Sequence, residues 1–154
     1  MIRRSSSKET NRANNRSAKV LIKYLLDTNI CIYIMNRRPI EIIHKFKQFH
    51  VGEIGVSTIT VSELQYGACK SKHPKLNRQR VEEFLAPLEI LPYDHQAANL
   101  YGEIRHDLET RGEVIGPFDT LIAAHAVSND IILVTNNEKE FLRVKRLRIE
   151  NWIK

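Results

Sequence analysis

Short apolar runs alternate with longer amphipathic segments along most of this chain. The runs have the length and the β-branched content of strands, and they lie at residues 20–26, 54–57, 89–92, 131–134 and 148–152. Between them, apolar residues recur every three to four positions, which is the spacing of one helix face. Two such sets are Ile40, Ile43, Phe46 and Phe49, and Ala97, Tyr101, Ile104 and Leu108. The pattern predicts strands separated by helices.

Strands joined through helices pair in parallel, because each helix returns the chain to the same end of the sheet. The predicted fold class is therefore α/β, with a central, mostly parallel sheet of four to five strands flanked by helices. A length of 154 residues is typical of one domain. We place this domain at residues 21–154. Residues 1–20 are rich in Ser, Asn and Arg and nearly lack large apolar side chains, so we expect a disordered basic tail.

The formal charge of +6 gives little evidence for a nucleic-acid partner of the domain. Residues 1–19 contain six basic residues and one acidic residue, so they account for +5 of that charge. Three basic clusters remain in the domain, at residues 37–38, 70–80 and 143–148. Each cluster is either part of a basic rim or a plain solvated face.

No apolar run approaches the roughly 20 residues that a membrane-spanning helix requires. The N-terminal segment also lacks the apolar core of a secretory signal. We therefore expect a cytoplasmic protein in which Cys31 and Cys69 are packed, reduced thiols. Neither cysteine has a second Cys or a His at zinc-ligand spacing, so a zinc site is not predicted.

Three acidic residues stand beside predicted strand ends or helix starts. Asp27 ends the first strand, Glu63 lies in the first turn of a helix expected to begin at Thr60, and Asp119 follows Pro117 in another first turn. Each has a local explanation. Asp27 is a good N-cap, Glu63 completes a capping box with Thr60, and Asp119 complements its helix dipole.

Considered together, the three acids indicate a metal site. The carboxyl ends of the strands in an open α/β sheet face one crevice, so we expect Asp27, Glu63 and Asp119 at the same edge. Carboxylates about 5 Å apart repel each other by about 3 kcal/mol per pair at an effective dielectric constant of about 20. A cation would relieve this repulsion, and oxygen ligands favour Mg²⁺, with Mn²⁺ as the alternative. Such a site can activate water for attack on phosphorus.

Other phosphoryl-transfer sites fit these residues less well. A phosphatase with an aspartyl nucleophile would carry a second Asp where this chain has Asn29. The chain has no Gly-rich phosphate loop with its Lys. None of the six histidines has a spacing that suggests a general base, and His125, on an apolar helix, is expected to be a buried histidine with its hydrogen bonds satisfied.

Four segments resemble the motifs of PIN-domain ribonucleases and, more narrowly, those of VapC toxins from bacterial toxin-antitoxin pairs. They are LLDTN at residues 25–29, STITVSELQYG at 57–67, GPFDTLIAA at 116–124 and VTNNEKEF at 134–141. The similarity covers about residues 24–152 in the same order and spacing. It implies a PIN-like three-layer fold and a metal-dependent endoribonuclease.

The resemblance also implies roles for individual residues. Asp27, Asp119 and Glu63 occupy the positions of the metal-binding acids. Thr28, Asn29 and Thr135 occupy positions that order the site. Asn137 falls at the family's fourth acidic position, where a neutral amide weakens the expectation of a second, permanently bound metal ion. Glu140 either supplies the missing charge or faces solvent.

By the same resemblance, the expected assembly is a homodimer with a small VapB-type antitoxin, and this complex binds its own operator DNA. The expected substrate is structured RNA, most often tRNA, with initiator tRNA in the most similar members. Two alternatives stay open. One is a non-toxin PIN nuclease that processes RNA or cuts structured nucleic acid, and the other is a non-catalytic nucleic-acid-binding module whose acids are only helix caps.

Overall fold

The structure is a computed structural model that describes residues 22–154. The tail expected at residues 1–20 lies outside this part of the chain, as do the first two positions of the first apolar run. No helix among residues 22–154 is long and apolar enough to cross a membrane.

The described residues form a five-stranded sheet in which every pairing is parallel. Its strands are β1 (Tyr24–Leu26), β2 (Ile54–Ser57), β3 (Glu89–Leu91), β4 (Ile132–Val134) and β5 (Ile149–Glu150). The order across the sheet is β3-β2-β1-β4-β5. The predicted α/β class and the parallel sheet are confirmed.

Helices connect these strands at the predicted places. They are α1 (Thr28–Asn36), α2 (Ile40–Phe46), α3 (Thr58–Cys69), α4 (Pro74–Leu85), α5 (His95–Thr110), α6 (Pro117–Ser128) and α7 (Glu138–Phe141). A single 3₁₀ turn at Val51–Glu53 leads into β2. The sequence pattern did not predict this turn or the four-residue α7, because neither is long enough to show a period.

Two hydrophobic cores lie on opposite faces of the sheet. Helices α1 to α4 pack on one face, and α5 and α6 pack on the other. Successive strand residues point to opposite faces, so Leu26 and Val134 belong to the first core while Leu25 and Leu133 belong to the second. The sheet is therefore the middle of three layers.

Two helix boundaries differ from the prediction. Helix α3 begins at Thr58, two residues earlier than expected, because Ser57 at the end of β2 caps it. Helix α2 ends at Phe46, so Phe49 is not part of its apolar face. Phe49 instead stacks on Trp152 with ring centroids 4.9 Å apart.

Helix α5 ends at Thr110, just before a glycine. Its last turn is closed by Gly112, whose φ of 67° is a left-handed conformation that favours glycine. The backbone N–H of Glu113 then donates to the carbonyl oxygen of Leu108 at 2.9 Å. An exposed loop at residues 111–114 follows before Pro117 starts α6.

The strand order creates a crevice beside β1. The chain passes from β1 to β2 and β3 on one side, and later returns to the other side of β1 as β4. The loops that follow β1 and β4 therefore diverge, which is where ligands bind in open α/β sheets. Leu26 pairs with Val134 in register, so the next residues, Asp27 and Thr135, lie side by side at the mouth of this crevice.

Candidate metal centre

Asp27 lies at the centre of the crevice and is held at both carboxylate oxygens. Its side chain is only 4% exposed. Oδ1 accepts a hydrogen bond from the backbone N–H of Ile30 at 2.8 Å, which makes Asp27 the N-cap of α1 as predicted. Oδ2 accepts from the hydroxyl of Thr135. Capping therefore uses one oxygen, and the other is tied to the end of the neighbouring strand.

Thr135 links the end of β4 to both β1 and the loop that follows. It is fully buried. Its Oγ1 donates to Asp27 and accepts from the backbone N–H of Asn137 at 2.9 Å. The position predicted for Thr135 beside the acids is thus observed.

Glu63 is not part of a capping box with Thr60, contrary to one of the local explanations above. Ser57 caps α3 instead, by accepting from the N–H of Ile59 at 3.1 Å, so Glu63 lies in the second turn rather than the first. Its Oε1 accepts from the hydroxyl of Thr28 at 2.8 Å. Because Thr28 is the first residue of α1, this bond joins α3 to the helix that Asp27 caps.

Asp119 is the third residue of α6 and is half-buried. Its pKa is raised to about 6, first by burial and then by the negative charges of Asp27, Glu140 and Glu63 in that order. A hydrogen bond with the Glu140 side chain acts in the same direction. The three acids predicted from separate segments therefore share one electrostatic environment with Glu140.

Asn137 holds Glu140 by a hydrogen bond. The side-chain amide of Asn137 donates to Oε2 of Glu140 at 3.1 Å, across the first turn of α7. The neutral Asn137 thus positions a carboxylate beside Asp119. Of the two alternatives for Glu140, the structure favours the one in which it supplies charge to the site.

The site favours a bound cation. Burial is the main cause that raises the pKa of Asp27 to about 6, and the Glu63 charge adds to it, whereas the Thr135 hydroxyl and the Ile30 N–H oppose it. Within residues 22–154, no three His, Cys, Asp or Glu side chains already surround one point as metal ligands. The residues that could hold a cation are therefore the carboxylates of Asp27 and Asp119.

Asn29 follows Thr28 at the start of α1. It is exposed, and its backbone N–H lowers the pKa of Asp27 by hydrogen bonding. The hydroxyls of Thr28 and Thr135 bind Glu63 and Asp27, and the ordering role of the Asn29 side chain stays a prediction.

A groove lined in part by basic side chains opens beside Glu63. It lies between α1, α2, α3 and α4, and its lining includes Arg37, Lys47 and Arg80, the acidic Glu83 and several apolar side chains. None of these three has an acidic partner within residues 22–154. The third basic cluster differs, since Lys145 and Arg148 in it are ion-paired.

One further expectation needs correction. Cys31 is buried as predicted, but Cys69 is exposed at the end of α3. His125 is fully buried, as expected; its Nδ1 lies 2.8 Å from Oγ of Ser57, and the backbone of Pro92 also acts on the ring.

Comparison with known proteins gives a consistent result. Residues 24–147 match the PIN domain family. Ribonuclease VapC2 of Haemophilus influenzae is 50% identical over 133 residues, which cover 86% of this chain and 100% of that protein. The tRNA(fMet)-specific endonuclease VapC of Shigella flexneri is 42% identical over 86% of this chain and 99% of its own length.

Among solved structures, DNA-bound VapBC from Salmonella typhimurium superposes with a TM-score of 0.81 at 44% identity, over 85% of this chain and 98% of that one. The PIN domain match at residues 24–147 includes all four of the segments quoted above. The chain belongs to the PIN-domain family, within its VapC branch.

Proposed function

We propose that this chain is a metal-dependent endoribonuclease that acts as the toxin of a toxin-antitoxin pair. Its site would hold Mg²⁺, or Mn²⁺ in its place, through Asp27 and Asp119, with Glu63 completing the ligand set. The substrate would be structured RNA in the cytoplasm. Initiator tRNA is the first candidate, because the Shigella flexneri relative is named for that substrate.

One observation carries this proposal. Asp27 lies at the end of β1 and Asp119 in α6, yet the charge of Asp27 raises the pKa of Asp119, and both carboxyls have a pKa of about 6. Local capping does not explain such a convergence, because a cap needs one carboxylate at one helix end. A divalent cation offsets the repulsion of all the acids at once.

The bound metal would polarise the scissile phosphate and lower the pKa of a water molecule. The chain's own residues would do the rest. Thr135 and the Ile30 N–H hold Asp27 in one orientation, and Thr28 holds Glu63. Asn137 is proposed to take part by keeping Glu140 beside Asp119, where this carboxylate can accept a proton.

The three basic side chains of this groove support RNA as the substrate. Arg37, Lys47 and Arg80 stand beside Glu63 without acidic partners among the described residues, so they are free to neutralise phosphates next to the cleavage point. The partner would be a VapB-type antitoxin, and operator DNA would be bound through the complex, by analogy with the DNA-bound VapBC of Salmonella typhimurium. A homodimer stays a prediction of the family resemblance.

The test uses the purified full chain, initiator and elongator tRNA, and Mg²⁺, Mn²⁺, Ca²⁺ or EDTA. The variant Asp27→Asn keeps the cap of α1, because Asn is an equally good N-cap, but removes the charge. The matched control is Asp94→Asn, since Asp94 caps α5 through the same type of bond at 3.0 Å and lies outside the site.

We expect wild type and Asp94→Asn to cut RNA with Mg²⁺ or Mn²⁺, and Asp27→Asn to lose at least a hundredfold in rate. Cleavage that survives both EDTA and Asp27→Asn would overturn the metal site. Cleavage of other structured RNA but not of tRNA would favour the non-toxin nuclease. Binding without cleavage under any metal would favour the non-catalytic module.

A further inference from the structure

His125 is a polar side chain in an apolar part of the fold. It is 0% exposed, on a helix face that is otherwise almost wholly apolar. Burying a polar ring costs free energy that an apolar side chain of the same volume would not, unless its hydrogen bonds are made. The hydrogen bonds of the ring are therefore the feature to explain.

The hydrogen-bonded side of the ring gives that explanation. Nδ1 lies 2.8 Å from Oγ of Ser57, and the same Oγ accepts from the N–H of Ile59 to cap α3. The bond therefore crosses from the interior of α6 to the first turn of α3, and these two helices contact each other directly. We call this pair the Ser57–His125 clamp.

The clamp joins the two helices that carry acids of the site. Glu63 lies six residues after Ser57 on α3, and Asp119 lies six residues before His125 on α6. Six residues of α-helix rise about 9 Å, so the clamp lies at the same short distance along each helix from the acid that this helix carries. The Ser57–His125 bond therefore fixes one point of each acid-bearing helix against the other.

The surroundings of the ring leave it little freedom to move. Tyr93 packs edge-on against it, with ring centroids 5.6 Å apart and an interplanar angle of 82°. Burial lowers the pKa of His125, against the opposing effects of the Asp94 charge and the Pro92 carbonyl, so the ring is neutral at neutral pH. The clamp is thus a bond between uncharged groups in a dry environment, where hydrogen bonds are strong.

We infer that His125, acting through Ser57, is a positioning residue that sets the separation of Glu63 and Asp119 and thereby the affinity of the site for a divalent cation. This inference rests on the proposed function, because it assumes that the acids bind a metal ion. It assigns His125 no contact with substrate or metal. Residues that hydrogen-bond a metal ligand directly alter metal affinity about 10- to 100-fold, and His125, which acts through Ser57, should fall at the lower end of this range.

The test measures Mn²⁺ binding to the full chain by titration calorimetry in the absence of RNA. His125→Leu removes the bond while keeping an apolar side chain, and His125→Asn keeps a polar group near the position of Nδ1. We expect His125→Leu to weaken Mn²⁺ binding about tenfold and His125→Asn to restore it to within about threefold of wild type. The control is Ile42→Ala, a buried change on α2, which carries none of the acids.

A purely structural role predicts a different result. In that case His125→Leu would lower the melting temperature as Ile42→Ala does, with Mn²⁺ affinity unchanged in both, and the inference would be wrong. If His125→Leu does not fold, Ser57→Ala removes the clamp from the other side, together with the cap of α3. Where both fold, the double variant should bind Mn²⁺ no more weakly than Ser57→Ala alone, because the Ser57 change already removes the clamp.

The outcomes separate this inference from the proposed function. If Asp27→Asn binds Mn²⁺ as tightly as wild type, the metal site itself is wrong. If Asp27→Asn loses binding while His125→Leu and Ser57→Ala both retain it, the metal site stands and the clamp is overturned.

Discussion

Asp27→Asn should stabilise the metal-free protein at neutral pH, although it removes the central side chain of the site. Burial holds the pKa of Asp27 at about 6, against an ordinary value of 3.8. This rise corresponds to about 3 kcal/mol by which ionisation of Asp27 opposes folding. An amide avoids that cost, and it keeps an oxygen for the Ile30 N–H and an N–H for Thr135.

The effect depends on pH with a definite sign. The pKa of Asp27 is higher in the folded than in the unfolded state, so the native protein binds the proton more tightly. Wild-type stability should therefore fall as pH rises from about 4 to about 6, with the full loss present above pH 6. Asp27→Asn should lack this contribution to the pH dependence.

The measurement is thermal unfolding in EDTA at pH 4.5 and pH 7.5. We expect Asp27→Asn to unfold about 3 to 10 °C above wild type at pH 7.5, for a gain of about 1 to 3 kcal/mol, because burying the amide also has a cost. The difference should shrink towards zero at pH 4.5. The control Asp94→Asn, at an exposed cap, should follow wild type at both values.

The reasoning would be refuted by a variant that is less stable than wild type at pH 7.5 in EDTA. That result would mean that the Asp27 carboxylate gains more from its hydrogen bonds than it loses by burial. Adding Mn²⁺ provides an internal check, since a ligand that binds only the folded state raises its stability. Wild type should gain melting temperature with Mn²⁺, and Asp27→Asn should not.

Three further changes test other parts of the site. Glu140→Gln removes a charge that raises the pKa of Asp119, so the acid limb of the cleavage pH profile should move to lower pH. Thr135→Val removes the hydroxyl that donates to the Asp27 carboxylate. It should lower the free energy of unfolding, measured in urea, by about 1 to 3 kcal/mol. Arg80→Ala should raise KM for RNA. It should also lower the slope of log KM against log salt concentration by about one unit, because one phosphate contact is lost, whereas Arg148→Ala should change neither quantity.

Controls for these changes are available within the same segments. Glu138→Gln alters a neighbouring acid that pairs with Lys154 and should leave the acid limb in place. Thr135→Ser keeps the hydroxyl and should retain wild-type stability. An unchanged pH profile for Glu140→Gln would contradict the placement of this carboxylate beside Asp119, and equal salt dependence for the two arginine variants would contradict a phosphate contact in the groove.

The position of Asp27 could be predicted because its signals are local. A β-branched and leucine-rich run, a following N-cap residue and a helical period all lie within about ten residues. The convergence of Asp27 with Thr135 could also be anticipated, because parallel strands place their carboxyl ends together. The register of Leu26 with Val134 then sets the two residues side by side.

The place of Glu63 was harder to predict, because two residues compete to cap α3. Ser57 and Thr60 are both good N-caps, and the local sequence favours the box formed by Thr60 with Glu63. The structure selects Ser57, which ends a strand paired with β3 on its other side. The pairing of β2 with its neighbouring strands therefore sets the start of α3. As a result, Glu63 does not cap the helix and instead accepts a hydrogen bond from Thr28.

The role of Glu140 remained open at the sequence level for a different reason. Helix α7 has four residues, too few to show which side faces the sheet. Its orientation depends on Phe141, which is 1% exposed in the second core, and on the bond from Asn137. These are long-range packing facts, and no spacing in the sequence encodes them.

The exposed loop at Gly112 lies between two unequal parts of the chain, and each part carries two of the four acids of the site. The piece before it carries β1, β2 and β3 with Asp27 and Glu63, and the piece after it carries β4 and β5 with Asp119 and Glu140. Neither piece can form the crevice, because the crevice exists only where β1 meets β4. A chain split within residues 111–114 and made as two polypeptides should thus be harmless to its producing cell until the halves are combined, which offers a means of timing its activity.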